Sequence, residues 1–282
     1  MPDLKLINEF INEFENNRST AHLIDIINTT RPLGLGYGHV YHSIRASSII
    51  GGFNGRRILE MGGALPDEYV FNTLKAKRWV AVEYHEYIGN QHKNNYDANY
   101  SYDNTGWEGF HNKWKATDGC KFDVIYSIAA FEHIHNLNGC LESIHEMLCD
   151  GGILYAYFTP IGSAQNGSHG FHPKEIEVFG NHCHLFFDYS SIQDHLVGQH
   201  GLDRKSACAA AHELYKNNQI NRYSYEEYIN IFEASQFKEK RVIPIGLESF
   251  DSLYTGERLE RIKAFHPQMK MSCAGFEVMM RK

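Results

Sequence analysis

Leu4, Ile7, Phe10, Ile11 and Phe14 recur at intervals of three and four, the spacing of one face of an amphipathic helix. Residues 21–28 are an apolar stretch whose type the pattern leaves open. A glycine- and aromatic-rich run, TTRPLGLGYGHVYHS, leads into a helix predicted to reach about Ile50, and Phe53-Asn54-Gly55 reads as a turn. From Arg57 the pattern changes. RRILEMGG is a short continuous apolar run closed by glycines. PDEYVFNTLKAK then reads as a helix, with Asp67 and Glu68 in its first turn, where the helix dipole favours anions. RWVAVEYHE and KFDVIYSIAAF are two more strand-like runs. HIHNLNGCLESIHEML is a helix expected to stop at Asp150-Gly151-Gly152, and GGILYAYFTPIG is the strand that follows, closed by Pro160.

Strands alternating with helices at this spacing predict a parallel sheet with crossover helices. Strands buried on both faces also explain apolar runs that do not alternate with polar residues. Residues 162–222 break the rhythm: they are polar and rich in Gly and His, and a tract of that length between core elements is a functional segment or subdomain. SYEEYINIFEASQF resumes helical spacing, with Ser224 as N-cap and Glu227 three residues on, a capping box. KEKRVIPIGLE and SCAGFEVMMRK read as strands, with the charged helix GERLERIKAF between them. The organisation is thus an N-terminal helical or lid segment, 1–54, and a domain, 55–282, carrying 162–222 as an insertion.

Composition narrows the partners. With 27 Lys+Arg against 34 Asp+Glu, the net charge of −7 argues against nucleic acid, whose binding needs clustered cations. Mean hydropathy is −0.43 and no run approaches the ~20 apolar residues that span a bilayer, so no membrane is expected. The acidic, amphipathic first residues resemble neither a signal nor a transit peptide, which predicts a cytoplasmic chain. Six cysteines without CxxC spacing then read as reduced and mostly buried.

Two glycine-rich segments compete for a nucleotide role. GLGYGH, with Gly34, Gly36 and Gly38, has no strand leading into it, so its motif value is low. EMGGALP, residues 60–66, lies directly after a strand and directly before a helix, where glycines let the backbone approach a ligand at the sheet edge. The second strand ends in Glu83, about twenty residues on, where a carboxylate can accept both hydroxyls of a ribose.

ILEMGG, VAVEYHE, FDVIYSIAAFEHI and LCDGGILYAYFTP together resemble the core of class I S-adenosylmethionine-dependent methyltransferases, in particular the group similar to ubiquinone-biosynthesis methyltransferases. The resemblance covers about residues 55–160, and the elements at 224–245 and 273–282 fit its last helix and strand pair. It implies an α/β fold: a Rossmann-like, seven-stranded, mostly parallel sheet with helices on both faces and the last strand inserted antiparallel. It also implies S-adenosyl-L-methionine as cofactor. Position by position, Glu60 and Gly62 match the acid and first glycine of the cofactor loop, with Gly63 and Ala64 beside them. Glu83 matches the ribose acid, and Ser127 and Ile128 end the strand beside the cofactor. The loop departs from the family's ExGxGxG: Ala64 and Pro66 stand at the later glycine positions, and Pro66 removes an amide donor. For the acid that meets the adenine amine, GWEGFHNKWKATDG offers Asn112, Trp114 or Asp118 without deciding between them.

A sulfonium cofactor suits an acidic site with aromatic faces. Methyl transfer aligns donor and nucleophile and removes one proton. His133, after Glu132 at the end of that strand, is read as general base or as orienting the acceptor; a structural Glu132-His133 pair is the alternative. Tyr37, His39 and His42 of the glycine-rich segment are placed as a lid over the site. In the insertion, His169 and His172 form HxxH and His182 and His184 form HCH. Four imidazoles could coordinate a divalent metal, but no carboxylate–His motif anchors one, so no metal is assigned and the four are read as a substrate wall with HCHLFF a strand. The predicted enzyme methylates oxygen or nitrogen of a polar small molecule, a sugar or nucleotide-sugar being the kind favoured. The competing readings are a non-catalytic methyltransferase-like binding subunit and an NAD(P)-dependent oxidoreductase. The oligomeric state is left open.

Overall fold

The computed structural model describes residues 37–63, 65–83, 98–117, 119–168, 181–216 and 220–282. Helix α1 (Tyr37–Ile50) precedes β1 (Arg57–Met61), α2 (Asp67–Asn72), β2 (Arg78–Val82), β3 (Tyr100–Asp103), α3 (Gly106–Ala116) and β4 (Phe122–Ile128). A 3₁₀ turn (Phe131–His133), α4 (Leu137–Met147) and β5 (Leu148–Phe158) follow. Then come α5 (Cys183–Phe186), α6 (Tyr189–His200), α7 (Arg204–Lys216), α8 (Tyr225–Ala234), β6 (Glu239–Ile245), β7 (Glu248–Ser249), α9 (Phe250–Leu253), α10 (Glu257–Phe265), β8 (Met271–Ser272) and β9 (Gly275–Arg281).

Seven strands form one sheet in the order β3-β2-β1-β4-β5-β9-β6. β1 to β5 pair in parallel, and β9 lies antiparallel between β5 and β6. This is the Rossmann-like order that the resemblance implies. The central strands split their side chains between two cores, as strands buried on both faces must. Leu59, Ile125 and Leu154 pack with Leu141 and Ile144 of α4 and with Tyr228 and Phe232 of α8. Ile58, Val124, Tyr126 and Tyr155 pack on the other face with Val40 and Ile49 of α1 and with Tyr69 and Val70 of α2. The helices therefore cover both faces. The Ser224–Glu227 capping box of α8 is present as predicted, and α1 ends at Ile50.

Three local expectations are corrected. The apolar pattern passes over β3, whose four residues, Tyr-Ser-Tyr-Asp, alternate instead of running apolar. Asp150, Gly151 and Gly152 do not stop α4. They lie inside β5, beside a register shift in its pairing with β4 between Phe122 and Val124. HCHLFF is not a strand: His182 adopts φ 61° and caps the single-turn helix α5.

The segment after β5 shares a core with α9 and α10. Leu185 and Phe186 of α5, Ile192 and Leu196 of α6, and Ala207 and Leu214 of α7 pack with Phe250 and Ile262. Among the described residues no helix is long and apolar enough to cross a membrane. The predicted helix at 4–14, the GLG portion of the glycine-rich run, Ala64, Asp118, His169 and His172 lie outside the described residues.

Candidate functional site

The carboxyl ends of β1, β2, β4 and β5 share one sheet edge, where ligands of open α/β sheets lie. At the end of β1 the chain turns at Gly62, which holds φ +79° and donates its N–H to Val82 O at 2.9 Å. A Cβ on Gly62 would stand 2.2 Å from Ala130 Cβ, so the absent side chain lets the loop after β1 close against the turn beyond β4. Glu60 clasps that loop from beneath. Its Oε2 accepts Leu65 N–H at 2.9 Å and the Trp79 indole N–H at 2.7 Å, while Gly63 lies against the same carboxyl. Burial pushes Glu60 up to about 7, its two hydrogen bonds oppose the shift, and the charge of nearby Glu83 adds to it. Glu60 is thus a loop-shaping acid buried beside the site. Pro66 directly precedes α2, where a missing N–H leaves no helical hydrogen bond unmade.

Glu83 follows β2 at the same edge. Its N–H donates to Asp103 O at 3.0 Å, and its carbonyl accepts Gly106 N–H at 3.4 Å. The fold therefore brings Glu60, Gly62 and Glu83 together at one sheet edge. The third-strand acid is Asp103, which the sequence reading missed. It accepts Lys113 Nζ at 2.7 Å, Thr105 N–H at 2.9 Å and the Thr105 hydroxyl. Burial raises its pKa, and these hydrogen bonds more than reverse the shift, leaving it below the usual carboxylate value. Of the residues offered instead, Trp114 donates to Cys120 O at 3.2 Å, ahead of β4, at the opposite sheet edge, and Asn112 is exposed. The signal for Asp103 was available: an acid ending a short alternating strand, followed by a helix start.

Ser127 is buried, and its hydroxyl donates to Met61 O at 3.0 Å. It ties the ends of β4 and β1, so its hydroxyl is spent on the frame. Ile128 is half-buried and pairs with Tyr157 of β5. His42 of α1 packs on Tyr157 with ring centroids 4.2 Å apart and the planes tilted by 39°, which sets α1 beside this edge. Burial, with the Arg45 charge, lowers His42 to about 4. Tyr37 opens α1.

The turn after β4 separates the Glu132-His133 pair. His133 is exposed, whereas Glu132 is 1% exposed. The Glu132 carboxyl accepts its own N–H and that of Thr159 at the end of β5, and its Oε2 has no hydrogen-bond partner. Burial pushes it up to about 8. Asn221 fastens the turn from outside: its N–H donates to Glu132 O at 2.7 Å, and its Nδ2 donates to Phe131 O at 2.8 Å and Ile134 O at 3.0 Å.

The two described insertion histidines form a joint and do not stand as an acceptor wall. His182 is buried, with Nδ1 2.8 Å from the Tyr254 hydroxyl and Nε2 2.9 Å from the Ser272 hydroxyl. Both ring nitrogens are engaged, which corrects its expected contact with an acceptor. His184 Nε2 lies 2.8 Å from Gly162 O, so that nitrogen carries the proton, and its buried Nδ1 has no partner. Burial lowers His182 to about 4 and His184 to about 3, and both rings are neutral. Among the described residues no three His, Cys, Asp or Glu side chains gather to hold a metal ion.

No family model and no curated protein matches the sequence. Solved structures with similar backbones include an S-adenosylmethionine-dependent methyltransferase from Mesorhizobium loti, with 14% identity and TM-score 0.46, covering 82% of this chain and 92% of that one. The plantazolicin methyltransferase BpumL, in complex with SAH, has 15% identity and TM-score 0.46, covering 98% of this chain and 99% of that one. Mycolic acid cyclopropane synthase CmaA1, complexed with SAH and CTAB, has 15% identity and TM-score 0.44, covering 88% and 86%.

Proposed function

We propose that this chain is an S-adenosylmethionine-dependent methyltransferase acting on a polar small molecule at oxygen or nitrogen. The observation that carries the reading is the β1–β2 edge. There a left-handed glycine, Gly62, and an edge carboxylate, Glu83, stand side by side in a seven-stranded sheet with an antiparallel insertion. The residues fit the cofactor: Glu83 would hold the ribose hydroxyls, and the backbone of 62–63 would lie along the amino-acid end. Asp103, at the end of β3, would stand near the base. The amides of Gly62 and Leu65 are already bonded to Val82 O and Glu60, and Pro66 has none, which weighs against a pyrophosphate and so against a dinucleotide. When bound, S-adenosylmethionine supplies an electrophilic methyl group on a sulfonium.

The chain's part in the transfer is to position. Ser127 and Gly62 hold the ends of β4 and β1 together, and Asn221 holds the turn after β4, so donor and acceptor sides keep one geometry. The polar insertion beyond β5 supplies the acceptor side, with exposed Asn166 near its start, and a sugar or nucleotide-sugar is the acceptor type it favours. Calorimetric titration with S-adenosylhomocysteine tests the reading, with NADH as the comparison. Saturable binding of the former and none of the latter is expected; the reverse would overturn the reading in favour of a dinucleotide site.

A further inference from the structure

The sequence places the general base of a methyltransferase at His133, which the structure leaves exposed on the turn. Its neighbour has the opposite setting. Glu132 is 1% exposed and lies two residues after Ala130, against which Gly62 of the loop after β1 closes. One strand over, Thr159 N–H at the end of β5 fixes the same carboxyl. It therefore sits between the ends of β4 and β5, next to the strand whose loop would hold the donor. One of its oxygens has no partner, and a buried carboxyl oxygen left unsatisfied costs stability unless a ligand completes it.

We propose, on the methyltransferase reading above, that Glu132 is the acid–base residue of the acceptor site and that its Oε2 takes the proton of the acceptor. As the new C–O or C–N bond forms and the donor's S–C bond breaks, the acceptor's proton passes to Oε2. The carboxylate becomes the acid and later returns that proton to water, so no oxidant or reductant is needed. The electrostatic setting supports this role. Burial holds Glu132 near 8, which makes its carboxylate a stronger base than an exposed one. The titratable side chain facing it is Tyr228 of α8, whose hydroxyl donates to Asn221 Oδ1 at 3.0 Å and is held protonated by burial. Among the described residues no cation pairs with Glu132. A sulfonium placed beside it would favour the ionised form, and a neutral thioether would not.

The test needs no acceptor. Calorimetry in buffers of different ionisation enthalpy counts protons exchanged when S-adenosylmethionine or S-adenosylhomocysteine binds. The sulfonium form is expected to release about half a proton or more at pH 7 beyond the thioether form. Glu132→Gln, which mimics the neutral acid, should bind both and lose that difference; His133→Ala should keep it. The same difference in Glu132→Gln would assign the proton to another group, such as Glu60, and overturn the proposal. Its loss in His133→Ala would overturn it too. Should Glu132→Gln not fold, Glu132→Asp carries the test: the pH profile of the release must move, and an unchanged profile overturns the assignment. Binding of neither cofactor form by the parent refutes the methyltransferase reading itself. Binding of both with equal proton exchange refutes only the role of Glu132.

Discussion

Arg45 and Glu277, far apart in sequence, meet in a two-point ion pair, Nε to Oε1 at 2.6 Å and Nη2 to Oε2 at 2.7 Å. Tyr155 of β5 donates its hydroxyl to the same Oε1 at 2.7 Å. The glutamate side chain is 4% exposed and the arginine 13%, so the contact pins α1 to β9, one strand in from the sheet's edge, with almost no solvent screening. Removing one partner strands the other charge. Arg45→Met should cost about 3–5 kcal/mol in urea unfolding, and the double variant with Glu277→Leu less than the sum of the two single losses.

Glu83→Ala should weaken S-adenosylhomocysteine binding tenfold or more while leaving the unfolding midpoint nearly unchanged. On the proposed reading, two charge-assisted hydrogen bonds to ribose would contribute about 1.5–3 kcal/mol each. Unaltered affinity in the folded variant would place the cofactor elsewhere.

Gly62→Ala asks for a Cβ 2.2 Å from Ala130 Cβ at a φ of +79°. The loop must then separate from the turn after β4. Destabilisation of about 1–3 kcal/mol is expected, together with lost S-adenosylhomocysteine affinity. The double variant with Ala130→Gly should recover part of both, since it relieves the contact but not the backbone strain.

Acid should loosen the joint between insertion and sheet. His182 and His184 are lowered to about 4 and about 3, so below their unfolded value near 6.5 the unfolded chain takes protons that the fold refuses. Their contribution is present above about 6.5 and is lost as pH falls toward 4 and 3. Glu60 and Glu132 act in the opposite sense. They are raised to about 7 and about 8, so they favour the fold most below their unfolded values near 4.5 and lose that contribution as pH rises through 7 and 8. Unfolding measured from pH 4 to pH 9 should show losses at both ends. His184→Gln should shrink the acid-side loss and leave the alkaline one.

Much of this was legible in the sequence where burial imposes a continuous pattern. The runs around Leu59, Ile125, Leu154 and Val278 are apolar because both faces of the sheet are covered, and that alone separates them from loops. β3 escaped because it is short and half polar. The α5 turn escaped because a left-handed histidine, His182, redirects a segment whose composition suits a strand. At the site, Gly62 and Glu83 were readable from local spacing along one βαβ unit. The different fates of Glu132 and His133 were not, because the burial of Glu132 depends on Asn221 and Thr159, which no local pattern links to the turn.

The chain leaves the sheet after β5 and comes back to the same point before α8. Gly162 N–H donates to Tyr223 O at 2.9 Å, and a side chain at Gly162 would overlap Arg222 O at 2.2 Å, so the two ends of the intervening segment touch. Asn221, beside that clasp, holds the Glu132 turn independently of what lies between. Length change between fixed ends costs little in closure entropy. Substitution, shortening or extension between those ends is confined by the clasp and by the core that the segment shares with Phe250 and Ile262, while the β1–β4 edge and the Glu132 turn stay in register.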